Sequence, residues 1–580
     1  MGERGRRTRL RDAGAAFASN WRNSDLRRAQ LSFLGAWTAE WAFTVALGIV
    51  AYRDGGAAAV GLVGLLRMVP SALLAPLLSP IADRGRRERV LVWVSVVRGL
   101  ATAAAAVVVA TAGPAAVIYV LAVLSTIAAT LYRPAHSALL PSLCRTGHEL
   151  ASANMVRGLL DSAATLGGPL LVAVLLQFTG VDVVFAVAAA ASFAAAALLL
   201  GLRYDAPPRP SAPDRPNIGR EAVEGLRAVA RDRDLVLILG LAAAQSLTRG
   251  ALTVLSVVVA IELVGTGEPG VGALMTSVGV GAVLGSLGAS LLIGTGRLGA
   301  WFAVGVALWG LPIALVGVFP EQAVALVLLS FVGVGNALID ITGFTLIGRT
   351  APDEVLARVF GVLESTVAIF VGIGGVVASA LIGWFGIQPA LIAIGLLCPV
   401  LAVASWWRLR RLDRVVAALD REIGLLRRVD MLCMLPLPAV ERLARGLEPV
   451  SVASGAVVFA QGDVGDRYYV IESGEVDVVH DGRVVADLGP GEGFGEIALL
   501  RPTGRMATVV ARTDLRLQAL TSDRFLPVVL GYTPSAVEAT ATVDGIMAQY
   551  EPGETPEEAS GETPEQTSGE TPEEASGETD

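Results

Sequence analysis

Twelve apolar segments dominate the chain between residues 29 and 407 and restrict it to a polytopic α-helical membrane fold. A bilayer core requires about 20 apolar residues per helix. Hydrophobic residues make up 53% of the 580 residues, too many for a soluble globular protein. The predicted spans are 29–51, 57–79, 90–112, 114–138, 153–178, 182–202, 234–263, 270–293, 299–319, 321–347, 357–384 and 387–407.

Arginine residues lie almost entirely on one side of these spans. That side carries an arginine-rich tail at 1–28, the loops at 84–89 and 203–233, and the segment from Arg408, whereas the opposite side carries Arg53. Because arginine is enriched in cytoplasmic loops, we expect both termini to be cytoplasmic and the tail not to be a signal peptide. The lack of lysine and the abundance of alanine, glycine and valine indicate a GC-rich genome, and we expect a multi-pass protein of a bacterial cell membrane.

A proline- and arginine-rich cytoplasmic loop at 203–233 divides the spans six and six. We therefore predict one six-helix transmembrane bundle at 29–202 and a second at 234–407. The loop after the second span reads Ser79-Pro-Ile-Ala-Asp83-Arg84-Gly85-Arg86-Arg87. An aspartate at a helix end with basic neighbours can hold such a loop against an adjacent helix and release it when the bundles move. A simple arginine-rich cytoplasmic turn is the alternative.

The two six-helix halves and this loop resemble the major facilitator superfamily. The loop departs from the superfamily motif by having Ser79 in place of the first glycine and one residue fewer before Gly85. The resemblance covers residues 25–410. It implies a secondary transporter whose substrate site lies between the halves near the membrane midplane, and a gating role for the loop.

Placing an ionisable residue within a membrane span costs free energy, so such residues are candidates for transport or ion coupling. Glu40, Asp161, Arg249 and Asp340 fall nearest to span centres and suit protonation or charge pairing in a cavity. A purely structural ion pair remains the alternative for each. The other intramembrane charges, for which structural roles are also open, are Arg67, Arg98, Arg133, Arg157 and Glu364.

Two segments favour export over uptake. Gly167-Gly168-Pro169 in the fifth span is similar to an element of exporters in this superfamily, although the longer glycine pattern is missing. The stretch 132–141 is similar to the region after the fourth span in multidrug-efflux members. The resemblance implies proton-coupled export of a small apolar compound, and uptake of a nutrient by symport remains open.

The character of the chain changes after residue 407. Residues 408–430 have an apolar stripe with helical spacing and are predicted to form a juxtamembrane coupling helix. From residue 450, short alternating runs are separated by Gly and Asp, which predicts a cytoplasmic β-roll or jelly roll with flanking helices at 431–550. Residues 551–580 contain an acidic octapeptide repeat without large apolar side chains and are predicted to be a disordered tail.

Two stretches of this β-rich region resemble cyclic-nucleotide-binding domains. The first runs from Gln461 to Val476, and the second is Phe-Gly-Glu-Ile-Ala-Leu-Leu-Arg-Pro-Thr-Gly-Arg-Met-Ala-Thr-Val at 494–509. A glutamate in the second can accept a hydrogen bond from a ribose hydroxyl, and an arginine offers a planar fork to a phosphate.

The resemblance implies individual roles in this nucleotide cassette. Gly495 and Glu496 would bind the ribose 2′-hydroxyl, and Arg505 would pair with the cyclic phosphate. Backbone amides around Ala498 and at Met506–Ala507 would assist. Members that prefer cGMP usually have threonine where this chain has Met506, so cAMP is the expected ligand and cGMP the less favoured one. A helix at 534–549 would close over the base.

Other function classes have less support. No Walker-type loop, metal-ligand cluster or nucleophile constellation is present, and we expect neither an enzyme, a bound metal nor a nucleic-acid partner. The three histidines (His136, His148 and His480) have no evident partner. A nucleotide-gated channel is disfavoured, because the sequence contains neither a carbonyl-filter loop nor an arginine-periodic voltage helix. Two alternatives stay open: a receptor whose membrane part does not transport, and a nucleotide domain that keeps its fold without its ligand.

Overall fold

The computed structural model divides the chain into two compact units, Met1–Ala417 and Ala418–Asp580. It describes residues 22–84, 86–144, 147–202, 218–289, 297–351, 353–501, 503–531, 537 and 539–544. The predicted tail at 551–580 therefore lies outside the described residues.

The first unit consists of helices. In the first half they are α1 (Ser24–Arg84), α2 (Arg87–Ala110), α3 (Ala115–Ala129), α4 (Tyr132–Leu143), α5 (Gly147–Leu175) and α6 (Val181–Leu200). After α7 (Ile218–Arg231), the second half contains α8 (Arg233–Val258), α9 (Gly267–Ala289), α10 (Leu298–Val318), α11 (Gln322–Thr350), α12 (Asp353–Phe385) and α13 (Ile387–Leu426). Within the described ranges, 11 helices are long and apolar enough to cross a membrane.

The difference from the twelve predicted spans arises in α1, which contains the first two of them. Its membrane-length part, Ser24–Leu74, is 51 residues long. Gly55 and Gly56 have non-helical backbone angles inside it, with φ of 61° and ψ of −154° at Gly56. Only glycine adopts that conformation readily, so two helical segments are joined here without a loop that would separate them. The count of twelve remains a prediction.

Four further features differ from the predicted spans. Helix α7 lies within the predicted central loop, the fourth span consists of the two helices α3 and α4, and α8 ends in a π-helical turn at Val259–Leu263. The twelfth span continues as helix α13 far beyond residue 407. Hydropathy marks which residues suit a bilayer, but it does not mark where a helix ends.

The two halves of the first unit meet on the side opposite the arginine-rich loops. Gly61 of α1 lies against α12, where the Ser379 hydroxyl donates to the Ala57 carbonyl over 2.6 Å. Gly272 of α9 lies equally close to α5. Arg53 and Glu268 form an ion pair across the halves at 2.5 Å. These contacts close the side that is predicted to face away from the cytoplasm.

The extension of α13 is attached to the second half by one buried carboxylate. Asp413 accepts hydrogen bonds from the backbone amides of Gly299 at 2.6 Å and Ala300 at 3.1 Å. Those amides belong to the first turn of α10, where negative charge is favoured by the helix dipole and by otherwise unpaired N–H groups.

The second unit is a β-sandwich with flanking helices. Its strands are β1 (Glu448–Val452), β2 (Val457–Phe459), β3 (Arg467–Ser473), β4 (Val476–His480), β5 (Arg483–Leu488), β6 (Gly493–Phe494), β7 (Thr508–Ala511) and β8 (Leu515–Thr521). They form two antiparallel four-stranded sheets in the orders β1-β8-β3-β6 and β2-β7-β4-β5. The flanking helices are α14 (Asp430–Cys433), α15 (Leu437–Ala444), α16 (Ile497–Leu500) and α17 (Ser522–Leu530).

Alternating burial along the strands builds one core between the sheets, which includes Ile471, Val509 and Leu517. A second core lies under the helices and includes Tyr468 and Phe525, whose rings stack at 4.5 Å. The predicted short β-strands are thereby confirmed, and the cassette residues lie between β6 and β7.

We expect the substitution Gly61→Val to hold the two halves apart on the closed side. A Cβ at Gly61 would lie 2.5 Å from the Gly375 carbonyl oxygen, whereas one at Gly64 would meet no described atom within 4 Å. Gly64→Val is therefore the matched control. The measurement is the labelling rate of Ser256→Cys, a buried position between the halves, by an impermeant maleimide added outside cells, in a variant without the three native cysteines. A several-fold rise for Gly61→Val alone is expected, and equal rates for both variants would contradict it.

Candidate functional site

The nucleotide cassette begins with a glycine whose conformation excludes other residues. Gly495 follows strand β6 with a φ of +93°, a region that side chains rarely tolerate. A Cβ at this position would lie 2.5 Å from Nη1 of Arg505. The backbone can therefore approach the guanidinium closely, and Glu496 enters the first turn of α16 directly afterwards.

Arg505 is almost completely buried and only partly satisfied. It is 4% exposed. Its Nη1 donates to the Gly495 carbonyl at 2.8 Å and its Nη2 to the Arg467 carbonyl at 2.7 Å. The guanidinium also lies over the Phe459 ring at 4.1 Å. Its Nε finds no hydrogen-bond acceptor among the described residues.

Glu496 is the second buried charged group of the cassette. It is 6% exposed, and Oε2 receives no hydrogen bond from the part of the chain that the structure describes. Burial raises the pKa of this carboxyl above its ordinary value, while its own backbone amide and the charge of Arg505 act in the opposite direction. Burying a carboxylate oxygen without a hydrogen bond costs free energy, so Oε2 of Glu496 is available to accept a hydrogen bond from a hydroxyl group.

The small residues of the cassette permit close backbone packing. Gly465 lies in the loop between β2 and β3, and a Cβ there would lie 2.5 Å from the Cβ of Ala498. Helix α16 therefore lies directly against this loop. Ala507 is buried immediately before β7, and Met506 before it is half-buried. The structure thus brings together all six residues that the sequence predicted for nucleotide binding, although no ligand contact tests their roles.

His480 is a neighbour of the cassette that the sequence did not indicate. Its Nδ1 lies 2.7 Å from the carbonyl oxygen of Met506, a distance suited to N–H donation. The two residues are 26 positions apart and meet because β4 pairs with β7. A single sequence does not reveal which distant strands pair, so the contact between His480 and Met506 could not be predicted from it.

The predicted lid helix falls largely outside the described residues. Of the stretch 534–549, only residue 537 and residues 539–544 are described. Asp544 forms an ion pair with Arg501 at 2.6 Å, close after α16. This ion pair connects the described part of 534–549 to the residue that follows α16.

In the first unit, charges from both halves form one electrostatically connected group. Arg133 pairs with Asp161 at 3.1 Å in the first half. In the second half, Arg249 interacts electrostatically with Asp340 and Glu364, and both members of the Arg133–Asp161 pair act on Arg249 and Asp340. Three of the four predicted transport residues therefore share this group.

These charges lie on the arginine-rich side of the contacts that close the opposite side. Asp340 retains accessible surface although protein surrounds it, and Asn336 donates to its carboxylate at 2.9 Å. Arg133 and Asp161 are also solvent-accessible, with side chains 53% and 39% exposed. An accessible group of opposite charges between two helix bundles suits binding or proton transfer.

Glu40, the fourth predicted transport residue, lies elsewhere. It pairs with Arg67 and Arg98 inside the first bundle. Both arginines were left as structural candidates by the sequence, and the hydropathy of their spans gave no sign that one carboxylate would join them.

The predicted gating loop is only partly described. Gly85 and the side chains of Asp83 and Arg84 lie outside the described residues. Arg86 pairs with Glu88 at 2.5 Å, and Arg87 donates to the Ala138 carbonyl of α4. The loop therefore contacts a neighbouring helix through Arg87, and the expected role of Asp83 stays a prediction.

Comparisons with known proteins identify both parts of the chain. The sequence model of the Major Facilitator Superfamily matches residues 31–347, more than half of the chain. The model of the Cyclic nucleotide-binding domain matches residues 449–532. These matches confirm the predicted transporter-type fold and the C-terminal nucleotide-binding domain.

Curated relatives that match the C-terminal domain include regulatory subunits of cAMP-dependent protein kinase. The cAMP-dependent protein kinase regulatory subunit of Schizosaccharomyces pombe is 40% identical over 103 residues, which cover 18% of this chain and 25% of that protein. The same subunit of Yarrowia lipolytica is 40% identical over 104 residues, covering 18% and 28%. The chain thus spans about a quarter of the length of these relatives.

The membrane unit is similar in fold to a solved transporter structure. The crystal structure of the nucleoside transporter NupG is 14% identical, with a TM-score of 0.56, and the match covers 67% of this chain and 100% of that one. At this identity the likeness concerns the fold alone.

We expect Glu496→Gln to stabilise the ligand-free C-terminal domain at neutral pH. Because burial raises the carboxyl pKa in the folded state, folding favours the protonated form. The contribution of Glu496 to stability is therefore present below its ordinary pKa and lost as pH rises through the raised value. Calorimetric melting of a 410–552 fragment across pH measures this. The wild-type melting temperature should fall relative to the variant as pH increases, and parallel curves would contradict the prediction.

Proposed function

Because the chain belongs to the major facilitator superfamily, we propose that it is a secondary transporter whose cycle is regulated by cAMP bound to its C-terminal domain. One observation carries the regulatory half of this proposal. The buried Oε2 of Glu496 and Nε of Arg505 both lack partners among the described residues of the same cassette. An acceptor for a ribose hydroxyl and a donor for a phosphate are thus both available, and buried polar groups without partners are rare unless a ligand completes them.

The proposal names cAMP rather than cGMP for two reasons. Met506 follows the phosphate-binding arginine, and its thioether side chain offers no strong acceptor to the amino group of guanine. The curated relatives of this domain are named as regulatory subunits of cAMP-dependent protein kinase. Both reasons concern the nucleotide domain and leave the transported compound open.

For the membrane unit, we propose proton-coupled export of a small apolar compound. Support comes from the accessible group of charges that both halves contribute, in which Asp340 and Arg249 interact electrostatically. A carboxylate within the field of an arginine can gain or lose a proton as its surroundings change. A nutrient uptake symporter with the same sensor is the alternative within this class.

Regulation requires that cAMP bind two transporter conformations with different affinities. A coupling free energy of about 1–3 kcal/mol is typical and changes affinity about 5- to 150-fold. Helix α13 is the covalent route for such coupling, since it begins in the second bundle and its last residues, Ile423 and Leu426, belong to a core of the C-terminal domain. The proposal includes no enzymatic step.

We expect Arg505→Ala to weaken cAMP binding by about ten- to a hundredfold, the range for losing charge-assisted hydrogen bonds to a buried anion. Arg516→Ala is the control because Arg516 is an exposed arginine on β8. The measurement is calorimetric titration of the full-length protein in lipid nanodiscs with cAMP and with cGMP. Absence of binding of either nucleotide by the folded wild type would favour a domain that has lost its ligand.

We expect Asp340→Asn to abolish proton-driven efflux while cAMP binding stays unchanged, because asparagine cannot carry a proton. Asp182→Asn, in the first turn of α6, is the matched control. Ethidium efflux from cells and cAMP titration of the purified variants provide the two measurements. Equal efflux by Asp340→Asn and wild type would refute the coupling role. A wild type that binds cAMP and transports nothing across a panel of apolar dyes would favour the receptor alternative.

A further inference from the structure

The first helix bundle buries one more positive than negative charge around Glu40. Its Oε1 lies 3.0 Å from Nη2 of Arg67, and its Oε2 lies 2.6 Å from Nη2 of Arg98. The two arginine side chains are only 5% and 3% exposed. Two guanidinium groups thus share one carboxylate within the membrane unit.

The two arginines differ in how completely they are satisfied. Arg67 donates from Nε to Thr126 at 2.8 Å and lies over the Phe43 ring at 5.3 Å. Arg98 uses only Nη2, which also contacts the Ala36 carbonyl at 3.3 Å. Its Nε and Nη1 have no acceptor in the described parts of the chain. Arg98 is therefore the less completely hydrogen-bonded of the two arginines.

A second polar group without a partner lies on the same face of α2. Ser95 is 1% exposed, and its hydroxyl has no hydrogen-bond partner among the residues that the structure describes. Residues three apart on a helix are neighbours on its surface. The Ser95 hydroxyl and the Arg98 guanidinium thus belong to one buried face of the helix, and both can donate hydrogen bonds.

An unpaired buried cation is strongly unfavourable, and a bilayer offers no water to compensate it. Glu40 cannot neutralise both arginines, since it carries a single charge. A second negative charge beside Arg98 would neutralise the cluster and accept the free N–H and O–H donors at the same time. The anionic group that enters must be small, because Arg98 and Ser95 are buried.

We propose that Arg98 and Ser95 form a binding site for one small monovalent anion, either a halide or the carboxylate group of a larger compound. In this arrangement Glu40 is a fixed counter-ion that holds both guanidinium groups in place. The anion has two possible sources: an inorganic ion that stays bound, or a carboxylate on a transported compound. Binding of the anion does not depend on the nucleotide domain or on the direction of transport.

The test is the thermal stability of the full-length protein in nanodiscs, titrated with chloride or acetate in a methanesulfonate buffer. The wild type should show a saturable rise in melting temperature. Arg98→Gln should abolish it, and Ser95→Ala should weaken the apparent affinity several-fold. Arg53→Gln removes an exposed arginine that pairs with Glu268, and it should retain the wild-type response.

Glu40→Gln provides a test whose sign a purely structural cluster would not reproduce. Removing the competing carboxylate should tighten anion binding by about tenfold or more, because the site gains a full positive charge. No saturable response of the wild type to either anion, or unchanged or weaker binding in Glu40→Gln, would overturn the proposal.

Proteoliposome uptake of labelled chloride and acetate then separates the two sources. Saturable binding without uptake identifies a resident anion. Uptake that Arg98→Gln removes identifies a carboxylate or halide that is carried. Both outcomes support the site, and because binding is measured without flux, a failure of the transport proposal leaves this result intact.

Discussion

The low dielectric of the bilayer is the constraint on which the membrane unit depends. Charges cannot remain isolated there, and the structure accordingly joins them in two groups. One group surrounds Glu40 within the first bundle, and the other contains Arg133, Asp161, Arg249 and Asp340 from both halves. The first group depends on contacts within one bundle, whereas the second depends on the approach of two bundles. Relative movement of the halves would therefore change the second group and leave the contacts of the first intact.

The bilayer also explains where glycine residues lie, because helices in it must pack closely. Without a hydrophobic driving force between helices, association in a bilayer relies on short backbone distances. Gly61 and Gly272 provide them between the halves on one side of the membrane unit. The contacts between the halves and the accessible charges therefore lie at different depths of the membrane unit.

The C-terminal domain is under a different constraint. It needs a stable core, and a ligand site needs polar groups that the domain itself does not pair. Its two cores supply the stability, while Glu496 and Arg505 remain incompletely paired inside the cassette. Such a site lowers the stability of the empty domain and raises the gain on binding. Met506 and His480 show that the cassette backbone is also held by a strand that is distant in sequence.

Much of this architecture could be predicted from the sequence alone. Apolar length predicted which segments suit a bilayer, and arginine distribution predicted which side each loop faces. The spacing of Gly495, Glu496 and Arg505 determined the cassette, because those residues lie on one short segment whose local backbone geometry is set by glycine. Local patterns of this kind depend on neighbouring residues, and neighbouring residues are what a sequence displays.

Only the tertiary structure decided which charges are partners. The sequence placed Glu40 and Asp340 in equivalent positions as isolated intramembrane acids, yet one joins two arginines of its own bundle and the other faces charges from both halves. The same holds for the helix break at Gly55 and Gly56, and for the contact of His480 with Met506. Each depends on elements that are brought together by packing, and the energy of a buried charge or hydrogen bond is determined by those neighbours in space.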